Sequence, residues 1–301
     1  MQNHKLRGTI YIFIATIIWG SAFVAQSEAT VAPFTYQGIR SIIGAIFLVG
    51  LSLVLDLFAR KKKQPITKWT DKTLLVGGLV CGLILFAAMN LQQFGLYFDT
   101  DPGKAGFITA MYILIVPILG LFMKKKVPYN VWISIVIAVV GLFFLCVQPG
   151  TGLALKTGDF FLLLCALVFA FHIVAIDFYA PKVDGVKLSC VQFFVAGGLS
   201  CICMFVFEEP DASQIVDNAI PILYAGIGSS GIAYTLQIIG QKYSPATIAS
   251  LVMSFESVFA VLSQVVVMWI MPSPREILGC AIMFAAILLA QLPEKKKKIT
   301  E

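Results

Sequence analysis

The chain has 301 residues, 59% of them hydrophobic and 13% charged, with a formal net charge of +6 and a mean hydropathy of +0.90. Soluble domains carry about 25% charged residues, so the composition excludes a water-soluble globular protein. Strand-like alternation is missing, and lipid leaves only helices or closed barrels for a spanning backbone, so the expected fold is an all-α membrane protein.

Apolar runs of about 20 residues, long enough to cross a hydrocarbon core of about 30 Å, occur ten times, at 8–28, 34–58, 74–97, 104–123, 128–148, 159–180, 188–207, 218–242, 245–271 and 275–292. The first follows Lys5 and Arg7 in the manner of a secretory leader. It is too long for a leader's apolar core and completes a repeat, so it is read as a span. The seven cysteines all fall in or at the edge of spans, and with an odd count they read as small packing residues. Neither they nor His4 and His172 form a metal-ligand cluster, and no cofactor is implied.

The loops sort by charge. The N-terminus, the second, fourth, sixth and eighth connections and the tail hold 18 of the 22 basic residues. The other side holds Lys104, Lys156 and Arg275 together with Glu28, Asp99, Asp101, Asp159, Glu208, Glu209, Asp211, Asp217 and Glu276. The positive-inside rule places both termini in the cytoplasm and the chain in the cytoplasmic (inner) membrane as a multi-pass protein. The clusters at Arg60–Lys63, Lys124–Lys126 and Lys295–Lys298 therefore read as topology anchors in the lipid bilayer, with no nucleic-acid partner.

Ten spans divide into two halves of five, and a half with an odd number of crossings hands the next half to the opposite face. Internal similarity supports the division: Leu6-Arg7-Gly8 leads span 1 as Lys156-Thr157-Gly158-Asp159 leads span 6, and "LQQFGLYFDTDPGKAGFITAMY" resembles "LQIIGQKYSPATIASLVMSF". The expected organisation is two inverted five-helix repeats, residues 1–150 and residues 151–301 with a basic tail, enclosing a site near the bilayer midplane between spans 1–4 and 6–9. Spans 5 and 10 contain few polar residues and belong at the periphery, where a dimer contact would lie; a monomer or homodimer is expected.

Trp19-Gly20-Ser21, Arg40, Ala105-Gly106-Phe107, Val116-Pro117, Ser244-Pro245-Ala246 and the stretch Leu251 to Glu256, in this order and spacing, resemble the drug/metabolite transporter superfamily, in particular its EamA-type ten-helix members. The likeness covers residues 8 to 292. It implies a secondary transporter of small organic metabolites working by alternating access. The family often places Pro directly after the ninth-span Glu; this chain has Ser257, so no proline kink is expected there.

The candidate site residues are polar or aromatic groups deep in spans. Glu256 lies eleven residues past Pro245, about 16 Å along a helix and so near the midplane. An acid there costs at least about 2.5 kcal/mol on insertion scales and needs water or a partner. Arg40, seven residues past Pro33, is long enough to reach it. Two readings stand: a buried pair that fixes helix register, or a carboxylate that handles substrate or protons. Gln37, Asn90, Gln93, Tyr234 and Gln237 are cavity candidates or interhelical hydrogen-bond partners. Asn90 and Gln93 share a face and are preferred over Gln92, which is rotated away. Trp19 and Tyr112 are too deep for interfacial belts, and His172, the intramembrane histidine, is with Glu256 a candidate for proton coupling or else a hydrogen-bonded structural group.

An intramembrane enzyme would need a nucleophile with a base, or a metal set, and neither pattern occurs, so the chain is not expected to be an enzyme. Without a nucleotide-binding loop, transport would be gradient-driven. Arg40 suits one carboxylate, which favours amino acids or related amphipathic compounds, with export the expected direction. Nucleobases, drugs and quaternary amines are the alternative cargo, and a receptor or assembly subunit the alternative class.

Overall fold

The computed structural model describes residues 2–27, 29–98, 102–147, 150, 156–269 and 271–292. Glu28, Asp99, Asp101 and the tail lysines Lys295 to Lys298 lie outside the described residues.

Helix starts are marked by residues that satisfy free N–H groups or carry none. Pro33 opens span 2, Asp71 accepts from Leu74 N at 3.0 Å and Asp184 from Lys187 N at 2.9 Å, and Ser273 with Glu276 forms a capping box. The spans are: 1, Gln2–Ser27; 2, Pro33–Lys61; 3, Lys72–Tyr97; 4, Pro102–Thr109 and Tyr112–Phe122; 5, Tyr129–Cys146; 6, Thr157–Tyr179; and 7, Gly185–Phe207. Span 8 is Ala219–Tyr224, a π-helical stretch Ala225–Ala233, and Tyr234–Gln241; span 9 is Ala246–Met253 and Glu256–Met268; span 10 is Pro274–Gln291. Among the described residues there is no strand, and nine spans are long and apolar enough to cross a membrane. The tenth has 18 residues, begins with Arg275 and Glu276, and packs along span 5.

Span 2 packs on span 7 and span 5 on span 10; span 3 meets spans 6 and 7 as span 8 meets spans 1 and 2, and span 4 meets span 6 as span 9 meets span 1. Exchanging each span with the one five places later maps this pattern onto itself, as two equivalent halves require. Their relative direction shows in two clamps on the span 2–span 7 pair. At one end Lys187 Nζ donates to Asp56 Oδ2 at 2.8 Å and to the Thr67 carbonyl at 2.6 Å. At the other, Glu208 accepts from Phe34 N, Thr35 N and Thr35 Oγ1, each at 2.8 Å. The start of each span therefore meets the end of its mate. Spans 2 and 7 run antiparallel, which is the mark of an inverted repeat.

Spans 4 and 9 are not the continuous helices that their apolar runs, 104–123 and 245–271, predict. Each opens with an eight-residue helix. Two-residue turns, Ala110–Met111 and Ser254–Phe255, then interrupt them before the second helix starts. Within the turns the hydrogen bonds close over three residues, from Met111 N to Ile108 O and from Phe255 N to Val252 O, both at 3.1 Å. Ser254 Oγ also donates to the Leu251 carbonyl at 2.8 Å, competition that bends helices without proline. Glu256 thus begins a helix after an interruption that owes nothing to proline.

Candidate functional site

The broken helices meet at a partly open cavity. The residues on either side of the two turns, Thr109 and Tyr112 in span 4 and Met253 and Glu256 in span 9, all line it. Span 1 supplies Trp19, Ala22 and Gln26, span 2 Arg40, span 3 Gln92, and span 6 Phe169, His172 and Ile173. Span 8 adds Ser229, from its π-helical stretch, and then Tyr234 and Gln237. Spans 5, 7 and 10 contribute no lining residue.

Trp19 and Glu256 share this cavity because Gly20 lets spans 1 and 9 touch backbone to backbone. A Cβ at Gly20 would lie 2.7 Å from Ala260 N and 2.5 Å from Phe259 Cβ. Association in lipid lacks a hydrophobic drive and relies on such small-residue contacts. From Leu251 to Val258 every residue is buried except Glu256, whose remaining accessible surface belongs to the cavity.

Arg40 also lines the cavity, at 2% exposure. Its Nε donates to Gln37 Oε1 at 2.6 Å and its guanidinium lies 5.4 Å from the Tyr36 ring. Among the described residues neither Arg40 nor Glu256 is in an ion pair. The register-fixing pair is therefore absent, and an arginine and a glutamate, neither of them in an ion pair, share one cavity.

The amide candidates divide. Gln237 faces the cavity, whereas Gln37, Asn90 and Gln93 do not. Gln37 Nε2 donates to the Met89 carbonyl at 3.1 Å and to Gln93 Oε1 at 3.3 Å, tying span 2 to span 3. Asn90 Nδ2 donates to Ser200 Oγ at 2.9 Å, tying span 3 to span 7. The preference for Asn90 and Gln93 over Gln92 is corrected: the face they share is packed between spans 2 and 7, and the adjoining face, with Gln92, meets the cavity. Gln26, Thr109 and Ser229 were not singled out either, since a single polar residue near a span end or among glycines carries no distinguishing pattern.

The aromatic candidates form one wall. Tyr234 meets Trp19 edge-on at 4.9 Å, Phe193 at 5.3 Å and His172 at 6.1 Å. His172 is fully buried, with Nε2 3.1 Å from Gln192 Oε1, so span 7 acts from behind the wall. No cluster of three metal-ligating side chains occurs among the described residues, and all seven cysteines are unbridged.

A cavity bounded by paired broken helices, in two antiparallel halves, is the arrangement of a multi-span membrane transporter. Residues 6–147 and again 156–292 match the EamA-like transporter family, and the chain belongs to it. It is similar to an uncharacterized transporter of Archaeoglobus fulgidus, 26% identical over 292 residues, covering 96% of this chain and 87% of that one. It is also similar to the aromatic amino acid exporter YddG of Ancylobacter novellus, 22% identical over 293 residues, covering 94% and 96%. A solved crystal structure shares the fold with a TM-score of 0.76 at 20% identity, covering 94% of this chain and 96% of that one. Members of this family are transporters, not enzymes.

Proposed function

We propose that the protein exports small zwitterionic metabolites, amino acids or related amphipathic compounds, by alternating access. The observation that carries this reading is a guanidinium and a carboxyl group, Arg40 and Glu256, that share one aromatic-walled cavity without an ion pair. Buried charges are normally paired with one another or open to water and cargo. Arg40 offers its guanidinium to a carboxylate, and Glu256 meets an ammonium group or exchanges a proton as the cavity changes sides. Trp19, Tyr112 and Tyr234 hold the apolar body, with Gln237 fixing its orientation and His172 behind them. Gln37, Asn90 and Gln93 would act at one remove, by holding Arg40 and the helices around it.

The name of the Ancylobacter relative supports amino acids and export. Residues 1–150 and 151–301 are the two repeats in this reading, with both termini cytoplasmic in the inner membrane, and the chain works as a monomer or homodimer. The test is flux of labelled amino acids in proteoliposomes. Glu256→Gln, close in shape and unable to ionise, should fold and lose transport or its pH dependence, and Arg40→Gln should lose carboxylate-bearing cargo. Normal flux with an unchanged pH profile in Glu256→Gln would refute the role.

The aromatic wall beside Glu256 favours one second reading, an organic cation held by its charge and by ring faces. Thermal stabilisation by tetramethylammonium that survives Arg40→Gln, with none by amino acids, would select it.

A further inference from the structure

Three polar atoms in the wall around Tyr234 are buried without a partner: Trp19 Nε1, His172 Nδ1 and Gln237 Oε1. Their residues line the cavity from spans 1, 6 and 8. Trp19 and His172 pack on the Tyr234 ring at 4.9 and 6.1 Å, and Gln237 lies one turn further along the same helix. Buried polar atoms nearly always find partners. Other such atoms are scattered through the bundle, but these three gather in a single wall of a single cavity, where a ligand would meet them.

What each atom offers follows from the bonds behind it. Trp19 Nε1 can only donate. Gln241 Nε2 donates to the Ile173 carbonyl at 2.9 Å, and a carbonyl only accepts, so Gln241 turns its Oε1 toward Gln237. Gln237 answers with Nε2 at 2.9 Å, which leaves its Oε1 as a free acceptor. Behind His172, Nε2 lies 3.1 Å from Gln192 Oε1; with that oxygen accepting, the ring proton is on Nε2 and Nδ1 is an acceptor. The wall thus presents one donor and two acceptors. A primary carboxamide supplies the complement, two N–H donors and a carbonyl; a hydroxyl meets two of the three, and a hydrocarbon none.

We propose that this wall is a polar subsite in the same cavity as Arg40 and Glu256, which selects cargo ending in a primary carboxamide over cargo of the same size ending in a hydrocarbon. His172 and Gln237 read the group; Gln241, anchored on the Ile173 carbonyl, is the positioning residue that fixes which atom Gln237 presents, and Gln192 backs His172. The choice of amino acids as test cargo rests on the proposed function.

Asparagine and leucine match in size and differ in this group. A site built around hydrogen bonds rejects an analogue lacking them by large factors, so proteoliposomes of the wild type should move asparagine at least about 10-fold faster than leucine. Gln237→Leu should bring the ratio to within about threefold, with asparagine flux losing more than leucine flux. Should that variant fail to fold, Gln241→Leu, which frees the Gln237 amide to turn, should lower the same ratio. Leucine moved as fast as asparagine by the wild type overturns the subsite. If neither amino acid is moved, melting with benzamide separates the two ideas. Stabilisation of the wild type that is lost in Gln237→Leu overturns the amino-acid reading and upholds the subsite, and no stabilisation overturns both.

Discussion

Lys187 and Glu256 are both charged groups held away from water, and the difference in their surroundings predicts opposite responses to neutralisation. Lys187, 1% exposed, shares its ammonium between Asp56 and the Thr67 carbonyl and lies 5.3 Å from the Trp69 ring. Lys187→Met would leave the carboxylate without its partner. Because the Asp56 side chain keeps 21% of its exposure, the loss should fall below that of a fully buried pair, at about 1–3 kcal/mol. Adding Asp56→Asn should recover part of it, read as melting temperature in detergent. Glu256 has no such partner, so Glu256→Gln removes an unpaired charge and should leave the melting temperature unchanged or raised while transport is lost. A fall as large as that of Lys187→Met would mean that Glu256 has a structural partner. The existence of a deep carboxylate and guanidinium was legible from residue type and depth alone. Whether they touch was not, because it depends on how spans 2 and 9 are rotated about their own axes. The same ignorance of rotation preferred Gln93 to Gln92.

At the scale of helices, two contacts related by the exchange of halves stand at opposite ends of the cavity. Toward the N-terminal side, Gly8 of span 1 meets Gly240 of span 8: a Cβ on Gly8 would lie 2.6 Å from the Gly240 carbonyl, and one on Gly240 would lie 2.6 Å from Ile12 Cγ1. Their counterparts are Gly158 and Gly95: a Cβ on Gly95 would lie 3.2 Å from the Gly158 carbonyl and 2.4 Å from Leu162 Cγ. Alternating exposure of a central site requires the ends of the bundle to open in turn, and these are matched close approaches between spans that line the cavity and their neighbours. Gly240→Val should hold the N-terminal end apart and Gly95→Val the other. Accessibility of a cysteine placed at Gln92 should therefore change in opposite directions in the two variants, measured by membrane-impermeant thiol reagents from the two sides. A shift in the same direction would show that the contacts are not paired gates. Span limits were readable because lipid demands long apolar runs. The interruptions at Ala110–Met111 and Ser254–Phe255 were not, since neither turn contains Pro or Gly. The π-helical stretch was also unreadable, since its glycines and serines suit an ordinary packed helix equally well.

At the scale of the whole molecule, inversion is a claim about both chain direction and side of the membrane. The clamps settle direction: Lys187 near the start of span 7 meets Asp56 near the end of span 2, and Glu208 just past span 7 meets Phe34 and Thr35 at the start of span 2. Equivalent spans in halves of the same orientation would run parallel, and the clamps would then have to join like ends. The side expected from charge follows from the basic residues Arg60 to Lys63, which close span 2 and follow it, and from Glu208 and Glu209, which follow span 7. Cysteines placed at Lys61 and at Glu209, both exposed and outside the clamps, should therefore label from opposite faces, with Glu209→Cys reacting from outside intact cells and Lys61→Cys only after permeabilisation. Glu209 serves better than Asp211, whose carboxylate accepts from Ser213 N at 2.8 Å and is held below its usual pKa by hydrogen bonds from the Ser213 hydroxyl and backbone. Labelling of both from outside would place the ends of spans 2 and 7 on one face, and inverted halves could not produce that.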